Sequence, residues 1–340
     1  MNNSPESAAP DHFGDPAGEY AAARTAMALI DLSGWTQIEI GGNDRVKFLH
    51  NFCTNDIRGL ASGAGCEAFI TSVQGKVLAH VFVLARENLL TLICVPGGAE
   101  RIIKHLSRYQ ISEDVTFADQ TASRGLLLVA GPKAAVALVS SGCEIESLGN
   151  GKLRDSSIGW PAATIYRCDF LNLPCYLVSC AGEDVQCWKD KLKSTGATPA
   201  GTAAFDALRI EAGFPLYGID ITDANLAQEV NRTAQAISFA KGCYLGQEPI
   251  ARIDALGHVN QQLRGIRLSA GPLPSAGAEV LTAEGEPRKI GQITSAAVSY
   301  ATKQPVALGY LKRNFDTPGL EVAVANPEGT IPGEVFWPVA

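Results

Sequence analysis

Pairs of strands joined by tight turns, with helices set between the pairs, constrain the fold of this chain more than any other feature. CEAFITSV and KVLAHVFVLA flank Gln74-Gly75, and ATIYRCDF and PCYLVSC flank Asn172, which predicts two β-hairpins. Helical patterns surround them, in PAGEYAAARTAMALID, in Ala99 to Tyr109, in PKAAVALVSS and in EDVQCWKDKLKS. Because a doubly wound parallel sheet needs strands and helices in alternation, this order predicts the α+β class.

The pattern changes after about Gln262. Short alternating segments (LRGIRL, KIGQITSA, VALGYL and LEVAVA) are separated by Gly- and Pro-rich turns such as SAGPLPSAG. This spacing predicts a small antiparallel barrel or sandwich at the end of the chain. We therefore expect a flexible arm over residues 1–15, an α+β region over residues 16–261 and a β-rich domain over residues 262–340.

Composition excludes several classes of protein. The 340 residues include 28 Lys+Arg and 35 Asp+Glu, a net charge of −7 without a basic cluster, which argues against a dedicated nucleic-acid binder. No apolar run reaches the roughly 18 residues that a membrane helix needs. The N-terminus has neither Lys nor Arg before Arg24 and no apolar run, so we expect no signal peptide, a cytoplasmic location and reduced thiols at the nine cysteines.

The densest group of cysteines does not have the spacing of a metal site. The intervals between Cys168, Cys175, Cys180 and Cys187 are six, four and six residues, a series unlike the usual zinc or ferredoxin spacing. Cysteine is also among the residues most often buried. We therefore expect these thiols to be structural, and we predict no metal site.

The segment KGCYLGQEPIAR sets a thiol beside a cation in a glycine-containing loop, which we expect at the end of a helix, with Pro249 limiting regular structure beyond it. A neighbouring Lys241 can lower the pKa of the Cys243 thiol and make it reactive. A buried cysteine in a tight turn explains the same pattern. From the residues alone the two interpretations are equally good.

The segment AAFDALRIEAGFPLYGID begins as a helix and breaks at Gly213 and Pro215. A carboxylate at Glu211 has the chemistry to accept two parallel hydrogen bonds from the edge of an amino-heterocycle such as guanine or pterin. The alternative is a structural ion pair between Arg209 and Glu211 near the helix end, and from the residues alone we prefer it.

Several of these segments together resemble the YgfZ-type folate-binding proteins, in the superfamily of the glycine-cleavage aminomethyltransferase (T-protein). The resemblance is carried by KGCYLGQE with ARIDALGHVNQQLRG, and by GNDRVKFLHNFCTNDI, TSVQGKVLAHVFVL, LRIEAGFPLYGID to LAQEVN, IGQITSAAVS and VALGYLKRNF. It implies a three-part cloverleaf, in which two intertwined α+β lobes surround a central cavity and a small β-barrel ends the chain. It also implies tetrahydrofolate or a folate derivative as ligand.

The resemblance implies an accessory factor for the synthesis or repair of iron–sulfur proteins, including iron–sulfur tRNA-modifying enzymes. Its partners are then folate and iron–sulfur client or assembly proteins, with no direct contact to nucleic acid or membrane, and we expect a monomer. Cys243 matches the reactive thiol and Glu211 the carboxylate that binds the pterin. From residue chemistry we add further candidates for the cavity wall and for the folate carboxylates: Tyr217, Tyr244, Lys241, Arg252 and Arg264.

One departure from the T-protein pattern bears on activity. Where aminomethyltransferases carry GGxxDD in the hairpin, Ala79 and His80 stand at the two Asp positions. The missing carboxylate argues against glycine cleavage. A folate-dependent one-carbon (aminomethyl) transferase remains the alternative function, and a non-catalytic scaffold with a vestigial folate pocket is a third.

Overall fold

The computed structural model describes residues 10–146, 148–156 and 161–337. Of the predicted arm, residues 1–9 lie outside the described residues. Residues 10 and 11 are anchored by two backbone hydrogen bonds. The amide of Thr202 donates to the carbonyl of Pro10 at 3.0 Å, and the amide of Ala203 donates to the carbonyl of Asp11 at 3.0 Å. Asp15 then caps the first helix by accepting from the amide of Gly18.

The elements of the first two thirds of the chain are, in order, α1 (Pro16–Thr25), β1 (Ala28–Asp31), β2 (Thr36–Gly41), α2 (Arg45–Phe52), β3 (Ala64–Thr71), β4 (Val77–Ala85), β5 (Leu90–Cys94), α3 (Ala99–Ser107), β6 (Thr116–Asp119), β7 (Arg124–Ala130), α4 (Ala134–Ser140), β8 (Leu153–Ser156), β9 (Ala163–Arg167), β10 (Cys175–Ala181), α5 (Val185–Ser194), β11 (Thr198–Ala200) and α6 (Thr202–Glu211). The remaining elements are α7 (Thr233–Ala236), α8 (Gln247–Leu256), β12 (Gln261–Leu268), β13 (Glu279–Thr282), β14 (Lys289–Ser299), β15 (Gln304–Lys312), β16 (Glu321–Asn326) and β17 (Gly329–Phe336). Short 3₁₀ helices cover Gly182–Asp184 and Ala227–Val230.

The chain forms two compact units that are interleaved in sequence. Unit 1 comprises Met1–Leu49, Ile57–Glu67 and Val81–Phe205, and unit 2 comprises His50–Asp56, Ala68–His80 and Asp206–Ala340. The boundary passes through β3 and β4, so the turn of that hairpin belongs to unit 2.

Unit 1 contains a six-stranded sheet in the order β11-β1-β7-β10-β9-β8. Its strand pairs are antiparallel except for β1 with β11, which is parallel. Helices α4 and α5 contribute Leu138 and the fully buried Trp188 to the core on this sheet. The predicted hairpin around Asn172 is present, with Asn172 in the left-handed region at φ 55°. A second sheet has the order β3-β4-β5-β2-β6, and Gly75 at φ 71° closes its first hairpin.

Unit 2 contains a closed barrel in the order β12-β15-β14-β13-β16-β17. Alternate residues of its strands, including Ile266, Val280 and Val335, form a continuous apolar core. The α+β class with a C-terminal barrel is therefore confirmed, and of the barrel and the sandwich the structure shows the barrel.

Two local predictions were wrong. The helix expected over residues 16–31 ends at Thr25, and β1 follows, because the apolar run from Met27 to Ile30 is buried within a sheet. Pro249 does not limit regular structure: it lies in the first turn of α8, where a missing amide hydrogen costs no intrahelical hydrogen bond. The loop that carries Cys243 therefore leads into the ten-residue helix α8 instead of lying at the end of a helix.

Candidate functional site

Helix α6 ends with Glu211, the predicted pterin-binding carboxylate, within unit 2. Gly213 follows at φ 70°, and a side chain there would lie 2.8 Å from the ring of Trp337. The chain therefore needs glycine to turn two residues after Glu211. Glu211 itself is half-buried, and its Oε1 atom is shielded from solvent.

The alternative explanation for this segment, an ion pair between Arg209 and Glu211, is not what the structure shows. The buried Arg209 guanidinium contacts Asp206 at 2.5 Å and Asp220 at 2.8 Å. Asp220 is 1% exposed and also accepts from the amide of Leu216. Sequence reasoning missed Asp220, although an acidic residue inside the apolar run PLYGIDI was a signal for a buried charge pair.

Asp220 also joins this helix end to the barrel. Its Oδ1 atom accepts from the hydroxyls of Thr294 at 2.5 Å and Ser295 at 2.6 Å. A β-bulge between Ile293 and Ser295 brings both of these neighbouring side chains to the same carboxylate. The segment after α6 is thus fixed by a fully hydrogen-bonded buried carboxylate.

Lys241, the first residue of the thiol motif, is 7% exposed. Its Nζ atom donates to the carbonyls of His50 at 2.5 Å, Cys53 at 2.7 Å and Asn55 at 2.9 Å. These carbonyls lie at and just beyond the C-terminus of α2, where a cation is favoured. The Nζ atom also lies 4.6 Å from the ring centroid of Tyr244. All three ammonium hydrogens are therefore engaged within the protein.

Backbone hydrogen bonds fasten the rest of the motif loop on both sides of Cys243. The amide of Ser238 donates to the carbonyl of Thr54 at 3.0 Å, and that of Leu245 to Asn51 at 2.9 Å. The hydroxyl of Thr71 adds a bond of 2.8 Å to the carbonyl of Leu245. The loop is thus tied to the end of α2 and to β3.

The two glycines of the motif differ in their surroundings. Gly246 has φ 83°, and a side chain there would lie 2.4 Å from the carbonyl oxygen of Ser72, so glycine is required. Gly242 has no heavy atom within 4 Å of where its side chain would begin. Of these two glycines, packing therefore requires only Gly246.

Cys243 is exposed on this loop. Of the nine free cysteines, only Cys187 on α5 is also exposed. Burial raises the pKa of the Cys53 thiol to about 11, against the opposing effect of the Lys241 ammonium. Burial likewise raises the pKa of Cys94 to about 12 and that of Cys180 to about 11. These three thiols stay protonated at neutral pH, whereas Cys243 is accessible to reagents and partners.

The four remaining predicted site residues have different settings. Tyr244 is buried, and burial raises the pKa of its hydroxyl to about 12, with the Cys53 thiol adding to the effect. Tyr217 is half-buried and packs against the cluster that contains Tyr244. Arg252 is exposed on α8. Arg264 is held on β12 by the carbonyl of Asp316 at 2.6 Å and by its carboxylate at 3.2 Å, and burial lowers the pKa of its guanidinium. Lys241 and Tyr244 are brought into contact, while Arg264 is engaged on the barrel.

The hairpin positions of Ala79 and His80 lie in an apolar and aromatic setting. Ala79 is buried, and the ring of His80 lies 5.1 Å from that of Phe69 and 5.4 Å from that of Phe214. The guanidinium of Arg232 in turn lies over the ring of Phe214, 5.4 Å from its centroid. Sequence reasoning did not find this stack, because its members are far apart in the chain and have no periodic pattern.

Among the described residues no group of three or more His, Cys, Asp or Glu side chains is arranged to hold a metal ion. In the same part of the chain no helix is long and apolar enough to cross a membrane. The cytoplasmic location stays a prediction.

Comparison with known proteins identifies the class to which this fold and sequence belong. Residues 7–239 match the family described as the GCVT N-terminal domain, and residues 261–339 match the glycine cleavage T-protein C-terminal barrel domain. The first match covers more than half of the chain, and the chain therefore belongs to the GCVT family. The predicted superfamily is confirmed, whereas the YgfZ-type branch within it stays a prediction.

Two proteins of similar sequence and one solved structure of similar fold show what this chain resembles. A chloroplastic protein of Arabidopsis thaliana, provisionally named a transferase, is 30% identical over 329 residues, which cover 91% of this chain and 71% of that protein. An aminomethyltransferase of Bacillus licheniformis is 26% identical over 316 residues, covering 89% and 84%. The crystal structure of the glycine cleavage system aminomethyltransferase T from Bartonella henselae has a TM-score of 0.82 and 21% identity, covering 96% of this chain and 90% of that one. At that identity the structural match establishes the fold alone.

Proposed function

We propose that this protein is a tetrahydrofolate-binding accessory factor for the synthesis or repair of iron–sulfur proteins, including iron–sulfur tRNA-modifying enzymes. The observation that carries the proposal is the exposed Cys243 on a loop that is tied down on both sides. A thiol presented in this way reaches a macromolecular partner without unfolding its surroundings. The resemblance of KGCYLGQE to the YgfZ-type signature supports the same role.

The residues of unit 2 fit the pterin part of a folate. Glu211 supplies a carboxylate with one solvent-shielded oxygen, and a pterin edge offers the paired N–H donors that such a group binds. Tyr217 supplies an aromatic face in the same unit. Bound tetrahydrofolate would supply a one-carbon carrier, while the protein's part is to hold and orient its pterin ring.

The candidate cations for the folate carboxylates differ in their availability. Lys241 uses its three donors on backbone carbonyls, and Arg264 is engaged by Asp316. Arg252 is exposed on α8. Arg252 is therefore the predicted cation that we favour for the glutamate end of the ligand, with Lys241 acting mainly on loop structure.

The folate part of the proposal is tested by calorimetry with tetrahydrofolate. We expect submillimolar binding by the unaltered chain and a loss of affinity of about tenfold or more in Glu211→Gln, since a charge-assisted hydrogen-bonded contact is removed. Glu284→Gln changes an exposed glutamate in the barrel and serves as the matched control, with unchanged affinity. Absence of binding by the unaltered chain would favour the scaffold hypothesis, and equal affinity in Glu211→Gln would remove Glu211 from the pocket.

Aminomethyl transfer is the second candidate function, and the aminomethyltransferases among the similar proteins are the observation in its favour. The buried methyl group of Ala79 argues against it, because it can neither accept a proton nor hold a cationic amine. An assay with lipoylated carrier protein and tetrahydrofolate distinguishes the two. We expect no turnover above background, and robust turnover would establish the transferase instead.

A further inference from the structure

A cleft of about 410 Å³ opens in unit 2 between residues 219–225 and the barrel strands β14 and β15. Small residues, Ala276, Gly277 and Gly291, form part of its lining. At Gly291 a side chain would meet the carbonyl oxygen of Tyr310 at 2.4 Å, so the strand carries no bulk at this point. The volume is that of a site for a small organic molecule.

The lining includes a buried polar group whose hydrogen-bonding capacity is unused. Tyr310 is 9% exposed, and its hydroxyl has no hydrogen-bond partner within the part of the chain that the structure describes. Burial, together with the carboxylates of Glu229 and Asp220, raises the pKa of this hydroxyl, so it stays neutral and keeps its proton. Buried tyrosine hydroxyls are normally paired, which makes this one a candidate ligand donor.

Two lysines line the same cleft, and Lys312 is the one whose charge is not paired with a carboxylate in the part of the chain that the structure describes. Lys312 is exposed, and its Nζ atom donates one hydrogen bond of 3.0 Å to the carbonyl of Lys289, which leaves two N–H groups for other acceptors. Lys289 is the second lysine of the lining, with its Nζ atom 3.0 Å from the carboxylate of Glu279.

The acidic groups nearest to the tyrosine hydroxyl are already committed. Asp220 pairs with Arg209 and accepts from Leu216, Thr294 and Ser295. Glu229 accepts from the amide of Leu226 at 3.0 Å and from the side chain of Gln261 at 3.3 Å. The donors left for a ligand are therefore the hydroxyl and the ammonium groups.

We propose that this cleft is a binding site for a small organic oxyanion, a carboxylate or a phosphate ester. The Lys312 ammonium makes the charged contact, and the Tyr310 hydroxyl donates a hydrogen bond from the buried wall. The side chain of Gln292 also lines the cleft; its amide nitrogen donates at 3.0 Å to the carbonyl of Gly277, and its second N–H and its oxygen are left for the rest of the ligand. The site involves none of the residues proposed for folate or for the thiol chemistry.

The test is a titration of the full chain, labelled with ¹³C in its tyrosine rings, with inorganic phosphate and separately with succinate. Tyr310→Phe identifies the Tyr310 signal, and we expect this signal to shift saturably with at least one probe. In Lys312→Gln we expect affinity to fall about tenfold, as for the loss of one charge-assisted contact. Lys303→Gln is the matched control. It removes one positive charge from an exposed position just before β15 that does not line the cleft, and it should change affinity by less than about twofold.

The outcomes separate the chemistries and decide the proposal. Tighter binding of phosphate identifies a phosphate ester, and tighter binding of succinate identifies a carboxylate. Calorimetry on Tyr310→Phe should show affinity reduced about fivefold or more, with an unchanged near-ultraviolet circular dichroism spectrum. Absence of a saturable shift at Tyr310 with either probe, or equal losses in Lys312→Gln and Lys303→Gln, overturns the proposal.

Discussion

Two buried cations stabilise unit 2 by different means. Arg209, at 1% exposure, is paired with carboxylates, whereas Lys241, at 7% exposure, is held by backbone carbonyls at the end of a helix. In the first arrangement a positive and a negative group are buried together. Removing either group leaves the charge of its partner buried without compensation. The second buries a single charge among dipoles. The difference teaches that a charged residue next to an exposed thiol in the sequence can hold the backbone of the surrounding loop.

The largest effect that we expect follows from breaking the arginine pair. Asp220→Ala leaves the Arg209 guanidinium buried without its main partner, and removing one member of a buried pair costs about 3–5 kcal/mol of unfolding free energy. Urea denaturation measures the loss. Asp206→Ala, which removes the 41% exposed partner of the same guanidinium, should cost less than about 1 kcal/mol. Equal losses in the two variants would contradict a dominant role for Asp220.

A smaller effect is expected at the lysine. Lys241→Met keeps the aliphatic length but removes the cation from the carbonyls at the end of α2, with an expected loss of about 2 kcal/mol. Amide hydrogen exchange should also accelerate at Leu245, whose N–H bonds to the carbonyl of Asn51 across the same contact. Exposed Lys303→Met is the control. Unchanged exchange at Leu245 would show that Lys241 does not hold the loop.

The effect that is smallest per pH unit concerns the thiol of Cys53, whose pKa responds to the charge of Lys241. The folded-state pKa of Cys53, about 11, lies above its ordinary value of 9.0, so the folded chain keeps a proton that the unfolded chain loses. Stability is thus fully present below pH 9 and falls as pH rises to 11, by about 1.4 kcal/mol per pH unit for each such thiol. Denaturation between pH 8 and pH 11 measures the slope.

Substitutions at the thiols isolate this contribution. Cys53→Ala should make the fall of the unfolding free energy with pH less steep, by the contribution of one proton. Cys187→Ala, at an exposed thiol, should leave this slope unchanged. In Lys241→Met the slope should extend to higher pH, because the ammonium lowers the pKa of Cys53. An alkaline slope that Cys53→Ala does not alter would exclude a raised pKa for this thiol.

Sequence patterns predicted the parts of the fold that depend on local periodicity. The hairpins at Gly75 and Asn172 and the barrel strands around Leu263 and Ile293 follow from alternation and turn chemistry. Strand β1 was missed because its buried apolar run, which follows an Ala-rich helix, is compatible with either structure. Strands β13 and β17 were missed because their neighbours in the sheet, not their own sequences, determine them.

The site was less predictable than the fold. The motif around Cys243 is recognisable in the sequence, but the partners of Lys241 lie 191 and 188 residues earlier, at His50 and Cys53. Asp220 and Tyr310 acquire their roles only through burial in unit 2. Contacts of this kind depend on tertiary packing, and no spacing rule in one sequence reveals them.

The central claim, that Cys243 acts as a reactive thiol in iron–sulfur protein maturation, is tested most directly in the native host. Cys243→Ala and Cys187→Ala each remove one of the two exposed thiols, and the activity of an iron–sulfur tRNA-thiolating enzyme is the readout. Our account predicts a clear loss of that activity in Cys243→Ala and wild-type activity in Cys187→Ala, at equal levels of folded protein. Full activity in Cys243→Ala would contradict it.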